Sequence, residues 1–366
     1  MSQHVYLHSI SHLARGVSAF EFRPTDSAAL MPFAAGAHID LILPNGIRRP
    51  YSLCNSQDET HRYVVGVKKA SPSRGASTYL HDQLRIGAEI DIAPPRNNFS
   101  LVESAPHSVL IAGGIGVTPI WAMVQRLVAL GASWELHYAS PTRKDAAFLD
   151  ELQQLALTNP TRANLAFNHE PGGRRLDLAE IVAKAPAASH FYACGPARML
   201  DAYEDATAGV PRAQVHMERF SGVGEAIRVP GSDFDIALAR SDKTIHVPAD
   251  KSILDVLLDE GVEIEFSCMD GVCGSCKVQV LEGMPDHRDA VLDSDERAAN
   301  ASMMVCCLPI RLTQTPTRCR VDPRSGIKLG IGRRFNAAGD AEQRAEGVER
   351  VEAPVEAERE FIEVGL

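Results

Sequence analysis

The nonapeptide Cys268-Met269-Asp270-Gly271-Val272-Cys273-Gly274-Ser275-Cys276 spaces three cysteines as C-x4-C-x2-C, and Cys306 follows further along the chain. This is the plant-type spacing of thiolates that hold a two-iron, two-sulfur cluster. A tight loop must wrap such a cluster with backbone amides turned toward its sulfurs. The small residues Gly271, Gly274 and Ser275 therefore separate the thiolates, where larger side chains would block the approach. A zinc knuckle is the competing reading, but zinc sites pair two C-x2-4-C units or add histidines, and no second pair with matching spacing is present. Cys306 and Cys307 are adjacent candidates for the fourth ligand. Their distance from Cys276 and the preceding Met304-Val305 favour Cys306, which leaves Cys307 a neighbouring thiol.

Working back from the cysteines, a helix is expected to start at Ser252 as N-cap and to stop at Gly261 in the left-handed conformation. Before it, Phe234-Asp235-Ile236-Ala237-Leu238 and Thr244-Ile245-His246-Val247 alternate as two strands. Residues 222–232, with Gly222, Gly224, Pro230 and Gly231, have the composition of a linker. Working forward, the pattern degrades after Cys319 into a basic stretch and then a Glu/Ala/Val-rich end with no visible core, so residues 321–366 are expected to form an atypical, mobile tail. The change of pattern fits either a shifted reading frame or a lineage-specific extension.

Between residues 105 and 221 apolar strands alternate with helical patterns, which predicts a parallel sheet covered by helices. Within it, Ser108-Val109-Leu110-Ile111-Ala112-Gly113-Gly114-Ile115-Gly116-Val117-Thr118-Pro119-Ile120 reads as a buried strand passing through glycines into a helix. Thr118 is the expected N-cap and Pro119 the first helical position. A helix start with glycine-bared amides attracts a pyrophosphate. The pattern departs from G-x-G-x-x-G, however, so a plain tight turn stays open beside nucleotide binding. Phe191-Tyr192-Ala193-Cys194-Gly195-Pro196-Ala197-Arg198-Met199 repeats the strand-turn-helix logic. Both turns belong at the carboxyl ends of parallel strands, where open α/β sheets bind ligands.

Residues 1–104 read as short alternating strands separated by Pro-Asn-Gly and Gly-Ala turns, an antiparallel sheet or barrel. The 366 residues suit roughly two to three domains at ~150 residues each. A net charge of -10 disfavours nucleic acid, whose binding needs basic surface. The longest apolar stretch is broken by glycines and Pro119 and falls short of the ~20 residues of a spanning helix. With no secretory signal visible and only 8 cysteines, the expected setting is soluble, reducing and cytoplasmic, with neither membrane nor nucleic acid as partner.

Two further elements carry a family resemblance. Arg48-Arg49-Pro50-Tyr51-Ser52-Leu53, and Val67-Lys68-Lys69 leading into Ser71-Pro72-Ser73-Arg74-Gly75-Ala76-Ser77, resemble the flavin-binding R-x-Y-S and R-G-x-S elements of the ferredoxin-reductase superfamily. The order of flavin barrel, nucleotide domain and C-terminal ferredoxin resembles the phthalate dioxygenase reductase family, which includes vanillate demethylase reductases. The resemblance implies an antiparallel β-barrel flavin domain (1–104), an α/β parallel-sheet NAD-binding domain (105–221) and, after the linker, an α+β β-grasp plant-type ferredoxin domain (233–320). It implies FMN held by Arg49, Tyr51 and Ser52 at the ring and ribityl chain, by the backbone of Val67 and Lys68, and by Arg74, Gly75 and Ser77 at the phosphate. Gly113, Gly114, Gly116 and Thr118 would hold the nicotinamide nucleotide, with Cys194, Gly195 and Pro196 near the reacting ring. His216-Met217-Glu218-Arg219-Phe220 matches the segment that closes over the flavin. Cys194, Thr118 and Phe220 are thus the catalytic candidates, against ordinary core positions for Cys194 and Phe220. The family's arginine near 141 is replaced by Pro141, followed by Thr142-Arg143-Lys144, so NADH is favoured by family habit and NADPH stays open.

A nicotinamide gives two electrons as hydride and a two-iron cluster takes one at a time; a flavin handles both, and the cofactors carry the chemistry while the protein orients them. The expected protein is a reductase passing electrons from NADH through FMN and a 2Fe-2S cluster to the terminal oxygenase of a Rieske non-haem iron system. Two rivals are an electron-carrier module with an inactive nucleotide site, which NADH would not bleach, and a flavin reductase without a working cluster, which iron and sulfide analysis would expose.

Overall fold

The computed structural model describes residues 2–26, 29–71, 73, 75–159, 162–220, 233–239, 241, 243–307, 320–321 and 361–364. The first unit has strands β1 (Gln3–Ala14), β2 (Val17–Pro24), β3 (His38–Ile42), β4 (Arg48–Ser52), β5 (Tyr63–Lys68) and β6 (Glu89–Ile92), with helix α1 (Ala76–Asp82) after β5. They form one antiparallel sheet in the order β4-β3-β6-β1-β2-β5. Its edges meet where Leu53 bridges Val65 and the Cys54 amide donates to Val64 O at 2.9 Å, so the sheet curls into the expected barrel. The strand period of two puts Val5 and Leu7, Phe20 and Phe22, Ile39 and Leu41, and Ile90 and Ile92 inside, all buried in one core. Each such side chain contributes about 1.5–3 kcal/mol of burial.

The second unit alternates as expected: β7 (Ser108–Gly113), α2 (Val117–Ala129), β8 (Trp134–Ser140), α3 (Leu149–Thr158), β9 (Ala163–Phe167), α4 (Leu178–Lys184), β10 (His190–Cys194), α5 (Ala197–Thr207) and β11 (Val215–Glu218). The parallel sheet runs β11-β10-β7-β8-β9, so the order in which strands are added reverses at the adjacent, parallel strands β7 and β10. Every residue of β7 is buried because both faces are covered. Leu110 and Ala112 pack with α2 and α3, while Val109 and Ile111 pack with Leu178 of α4 and Leu200 and Tyr203 of α5. The first of these cores also takes in Ala14, Val17, Cys54 and Phe99, so the barrel and the parallel sheet are joined by continuous apolar packing.

One local expectation is corrected. Helix α2 begins at Val117 with Gly116 as N-cap, and the Thr118 hydroxyl donates to Ile115 O at 3.0 Å instead of capping. A 3₁₀ turn over Gly114–Gly116 starts the winding early. Pro119 then stands third in the helix, where the amide it lacks has no intrahelical partner in any case.

The third unit holds β12 (Phe234–Leu238), β13 (Lys243–Val247), α6 (Ile253–Asp259), β14 (Lys277–Glu282), α7 (Ser294–Ala299), β15 (Ser302–Met304), β16 (Arg320–Val321) and β17 (Phe361–Val364). Helix α6 starts with a reciprocal capping box between Ser252 and Asp255, and Gly261 follows it at φ +70. The sheet runs β13-β12-β17-β14-β15, with β16 also pairing β12. Most of the expected tail lies outside the described residues, as does the 222–232 linker. Its segment Phe361–Val364, however, pairs parallel with β12 and antiparallel with β14. Both strands expose backbone donors and acceptors on facing edges, and a strand between them satisfies both rows.

Candidate functional site

The carboxyl ends of β7 and β10 lie side by side, Ala112 paired with Cys194, so the turns Gly113–Gly116 and Gly195–Pro196 touch. A Cβ on Gly116 would stand 2.2 Å from Cys194 O and 2.7 Å from the Gly195 nitrogen. Only glycine lets these two backbones pass. Gly113 lies against Pro196 and Met199, and Gly114 takes φ +54 beside open space. This crevice is where a doubly wound sheet binds a dinucleotide.

Beside it opens a cleft of about 620 Å³ to which all three units contribute, within the size usual for a cofactor site, ~300–1,000 Å³. The barrel supplies Arg49, Tyr51, Ser52 and Lys68, the glycine turn Ile115 and Thr118, the end of β11 Glu218 and Phe220, and the cysteine loop Cys268 and Cys273. The lining includes the large side chains Tyr51, Ile115 and Phe220 and the polar Lys69, Ser71, Ser73 and Ser77. Ser77 Oγ accepts the Ala70 amide at 3.1 Å and lies 3.2 Å from Ser73 Oγ, ahead of helix α1, whose N-cap is Gly75. An isoalloxazine and a phosphate fit this lining. Arg74 lies outside the described residues. The Val67 carbonyl already accepts His81 Nε2 at 3.0 Å.

Cys194 is fully buried in the core, and burial first, then the nearby Glu218, pushes its thiol well above the ordinary value. It reaches the site through its backbone, beneath Gly116. Cys54 is likewise buried, pushed up to about 12 by burial, and so an unreactive thiol. Phe220 is 39% exposed and lines the cleft, which removes it from the core. Arg219 beside it is tied to α5 through Asp201 at 3.2 Å and Glu204 at 2.8 Å, anchoring the closing segment.

Glu218 is a residue of this segment to which neither spacing nor resemblance assigns a role. Ser52 Oγ donates to its Oε2 at 3.3 Å, and burial pushes its carboxyl up to about 8. The signal available in the sequence was weak: one acidic residue closing an otherwise ordinary strand. Between the ordinary value of 4.5 and 8 the folded protein keeps this proton while the unfolded chain has released it. Stability therefore falls as pH rises across that window. The melting temperature should decline from pH 5 to pH 8, and Glu218→Gln should flatten the decline; parallel curves for the two proteins would contradict the assignment.

The cysteine loop sits at the far wall of the cleft. Cys268, Cys273, Cys276 and Cys306 are all buried, at 3–6% exposure. The Asp270 amide donates to Cys268 Sγ at 3.3 Å, the Cys268 amide to Cys273 Sγ at 3.4 Å, and Ser275 Oγ lies 3.1 Å from Cys273 Sγ. Donors aimed at sulfur suit thiolates on an electron-rich cluster. Gly271 takes φ +66, and a Cβ there would meet Cys307 Sγ at 2.4 Å, so Cys307 covers the back of the loop while the Cys306 thiol faces Cys268. Among the described residues no three or more His, Cys, Asp or Glu are placed around a single ion. A two-iron cluster does not require that, because its four thiolates are shared between two irons. Cys319 lies outside the described residues.

Comparison with known proteins agrees with this layout. Residues 4–101 match an oxidoreductase FAD-binding domain, 110–205 an oxidoreductase NAD-binding domain and 236–311 a 2Fe-2S iron-sulfur cluster binding domain. The chain is 51% identical to phenoxybenzoate dioxygenase subunit beta of Ectopseudomonas oleovorans over 82% of its own length and 92% of the relative's. It is 48% identical to tetrachlorobenzoquinone reductase of Sphingobium chlorophenolicum over 81% and 92%. The crystal structure of phthalate dioxygenase reductase superposes with a TM-score of 0.67 at 36% identity, covering 85% of this chain and 95% of that one. With its flavin barrel, nucleotide domain and C-terminal ferredoxin in this order, the chain belongs to the phthalate dioxygenase reductase family and is an NAD(P)H-dependent flavin iron-sulfur oxidoreductase.

Proposed function

We propose that this chain is the reductase component of a Rieske-type oxygenase system, drawing electrons from NADH through FMN and the cluster and handing them to a separate oxygenase that acts on an aromatic acid or methoxylated aromatic. The observation that carries the reading is the shared cleft, whose wall passes from the barrel through the glycine turn to the cysteine loop. The dioxygenase named in two of the similar proteins supports the acceptor class.

When bound, the nicotinamide supplies hydride, the flavin splits the electron pair and the cluster passes single electrons. The chain arranges them. Gly113 and Gly116 let the two turns pack against Pro196, Met199 and the Cys194 backbone, and Gly114 borders open space at the crevice where a nucleotide would lie. Thr118 joins that wall to the cleft, packed against Gly66 of the barrel. Arg49, Tyr51, Ser52 and Lys68, which line the cleft, would hold the ring and ribityl chain, and Ser77 with Gly75 and Arg74 would serve the phosphate. Burial favours the protonated form of the Glu218 carboxyl beside Ser52, and Phe220 lines the cleft. Cys268, Cys273, Cys276 and Cys306 would hold the two irons of the cluster.

The similarity to a quinone reductase favours a second reading, in which a small quinone takes the electrons directly. Optical and paramagnetic spectra before and after anaerobic NADH test the relay. Bleaching of the flavin together with a reduced-cluster signal is expected, and an unbleached flavin would overturn it. Re-oxidation by a purified oxygenase but not by a substituted benzoquinone separates the two acceptors.

A further inference from the structure

The flavin barrel and the ferredoxin unit are joined by polar contacts that the relay chemistry does not itself require. Asp40, in the middle of β3, has a fully buried side chain. Its Oδ2 accepts Arg48 Nε at 2.9 Å and Arg96 Nη2 at 2.7 Å. Two cations of its own domain thus stabilise one carboxylate where an isolated charge would be costly to bury. Its other oxygen leaves the domain: Ser267 Oγ donates to Asp40 Oδ1 at 2.6 Å. Ser267 is 1% exposed and immediately precedes the cluster ligand Cys268. A second contact lies at the next ligand, where Asn98 Nδ2 donates to Cys273 O at 2.7 Å. Arg49 Nη1 reaches Ser267 O at 3.5 Å.

We infer that Asp40, with Ser267 and Asn98, is a docking latch that sets the distance between flavin and cluster. These are positioning residues: they touch the loop backbone and hydroxyl, not the reacting atoms. The inference rests on the relay proposed above. Electron tunnelling decays exponentially with separation, so a latch on the two ligands that line the cleft controls the rate of the internal step. The Arg48 and Arg96 pairing is what makes the latch rigid, because it fixes the carboxylate before the ferredoxin unit arrives.

Ser267→Ala removes one hydroxyl and leaves Asp40 paired, so folding should survive. A hydrogen bond to a charged acceptor is lost, and amide exchange across residues 267–273 should rise about tenfold. In the holoprotein, transfer from flavin to cluster followed by stopped flow should slow by a similar factor. NADH bleaching of the flavin, the cluster's paramagnetic spectrum and its midpoint potential should stay at wild-type values. Ser267→Thr, which keeps the hydroxyl, should restore both exchange and transfer. Unchanged exchange and transfer in Ser267→Ala would overturn the latch, as would slowed transfer accompanied by a shifted potential, which would make Ser267 a tuner of the cluster. A wild-type protein whose flavin fails to pass electrons to the cluster would sink the relay itself.

Discussion

Cys276→Ser should sharply reduce electron delivery to cytochrome c while NADH still bleaches the flavin at the wild-type rate. Cys276 is 3% exposed and lies in the ferredoxin core with Val278, Leu257 and Met304, well apart from the nucleotide crevice. Serine offers a poorer ligand at a position where a thiolate is needed, and the two-iron unit loses one of its four anchors. Loss of partners outside the ligand set already costs metal sites about 10–100-fold, so loss of a ligand should cost at least about 100-fold in cytochrome c reduction. In the proposed relay the nucleotide would bind at the crevice beside Gly116 and Thr118, so reduction of the flavin should not need the cluster. Stopped-flow absorbance resolves the two steps. Equal loss of both would contradict the relay order.

Gly116→Ala should be the most damaging single methyl in the nucleotide domain. The new Cβ would stand 2.2 Å from Cys194 O and 2.4 Å from its carbonyl carbon, both backbone atoms of the adjacent strand end. No side-chain rotation relieves such a contact. Either the 3₁₀ turn ahead of α2 or the end of β10 must move, and overpacking of this kind costs about 1–3 kcal/mol or more. Movement of either turn widens the crevice between β7 and β10. The KM for NADH should therefore rise about tenfold or more, since misplacement of positioning elements by about 1 Å can cost 10²-fold. The melting temperature should fall with it. Gly114→Ala, at a site with nothing within 4 Å of the added Cβ, serves as the control for backbone strain at φ +54 without a clash. If Gly116→Ala leaves KM and melting temperature unchanged, the close approach of the two turns is not what shapes the crevice.

The modules were readable because their signals are local. The cysteine spacing needs nine residues, the buried strand and its glycine turn about a dozen, and the Ser252 cap with the Gly261 stop a single helix. The early start of α2 was not readable, because Thr118 and Gly116 are both acceptable caps and the choice fell to the 3₁₀ turn ahead of them. Cys194 is a catalytic candidate only through the family resemblance, beside an ordinary buried reading; its thiol is buried and its backbone is what meets the other turn. Glu218 carried no signal of its own, because burial and the Ser52 hydroxyl are contributed by elements distant in sequence. The same holds for Phe361–Val364: four residues at the end of a patternless stretch gain meaning only from the two strand edges they join.

By itself the sequence determined the antiparallel, alternating and cysteine-bearing segments and their order, which follow from periodicity, turn chemistry and cysteine spacing over a few residues; the flavin role of the first segment came from the family resemblance of its motifs. Only the tertiary structure decided that the glycine turn lies on the end of β10, that Glu218 meets the Ser52 hydroxyl, and that Asp40 reaches across to the residue before Cys268. Such contacts join residues up to 227 positions apart. Their geometry is set by how whole domains pack, which no local pattern encodes.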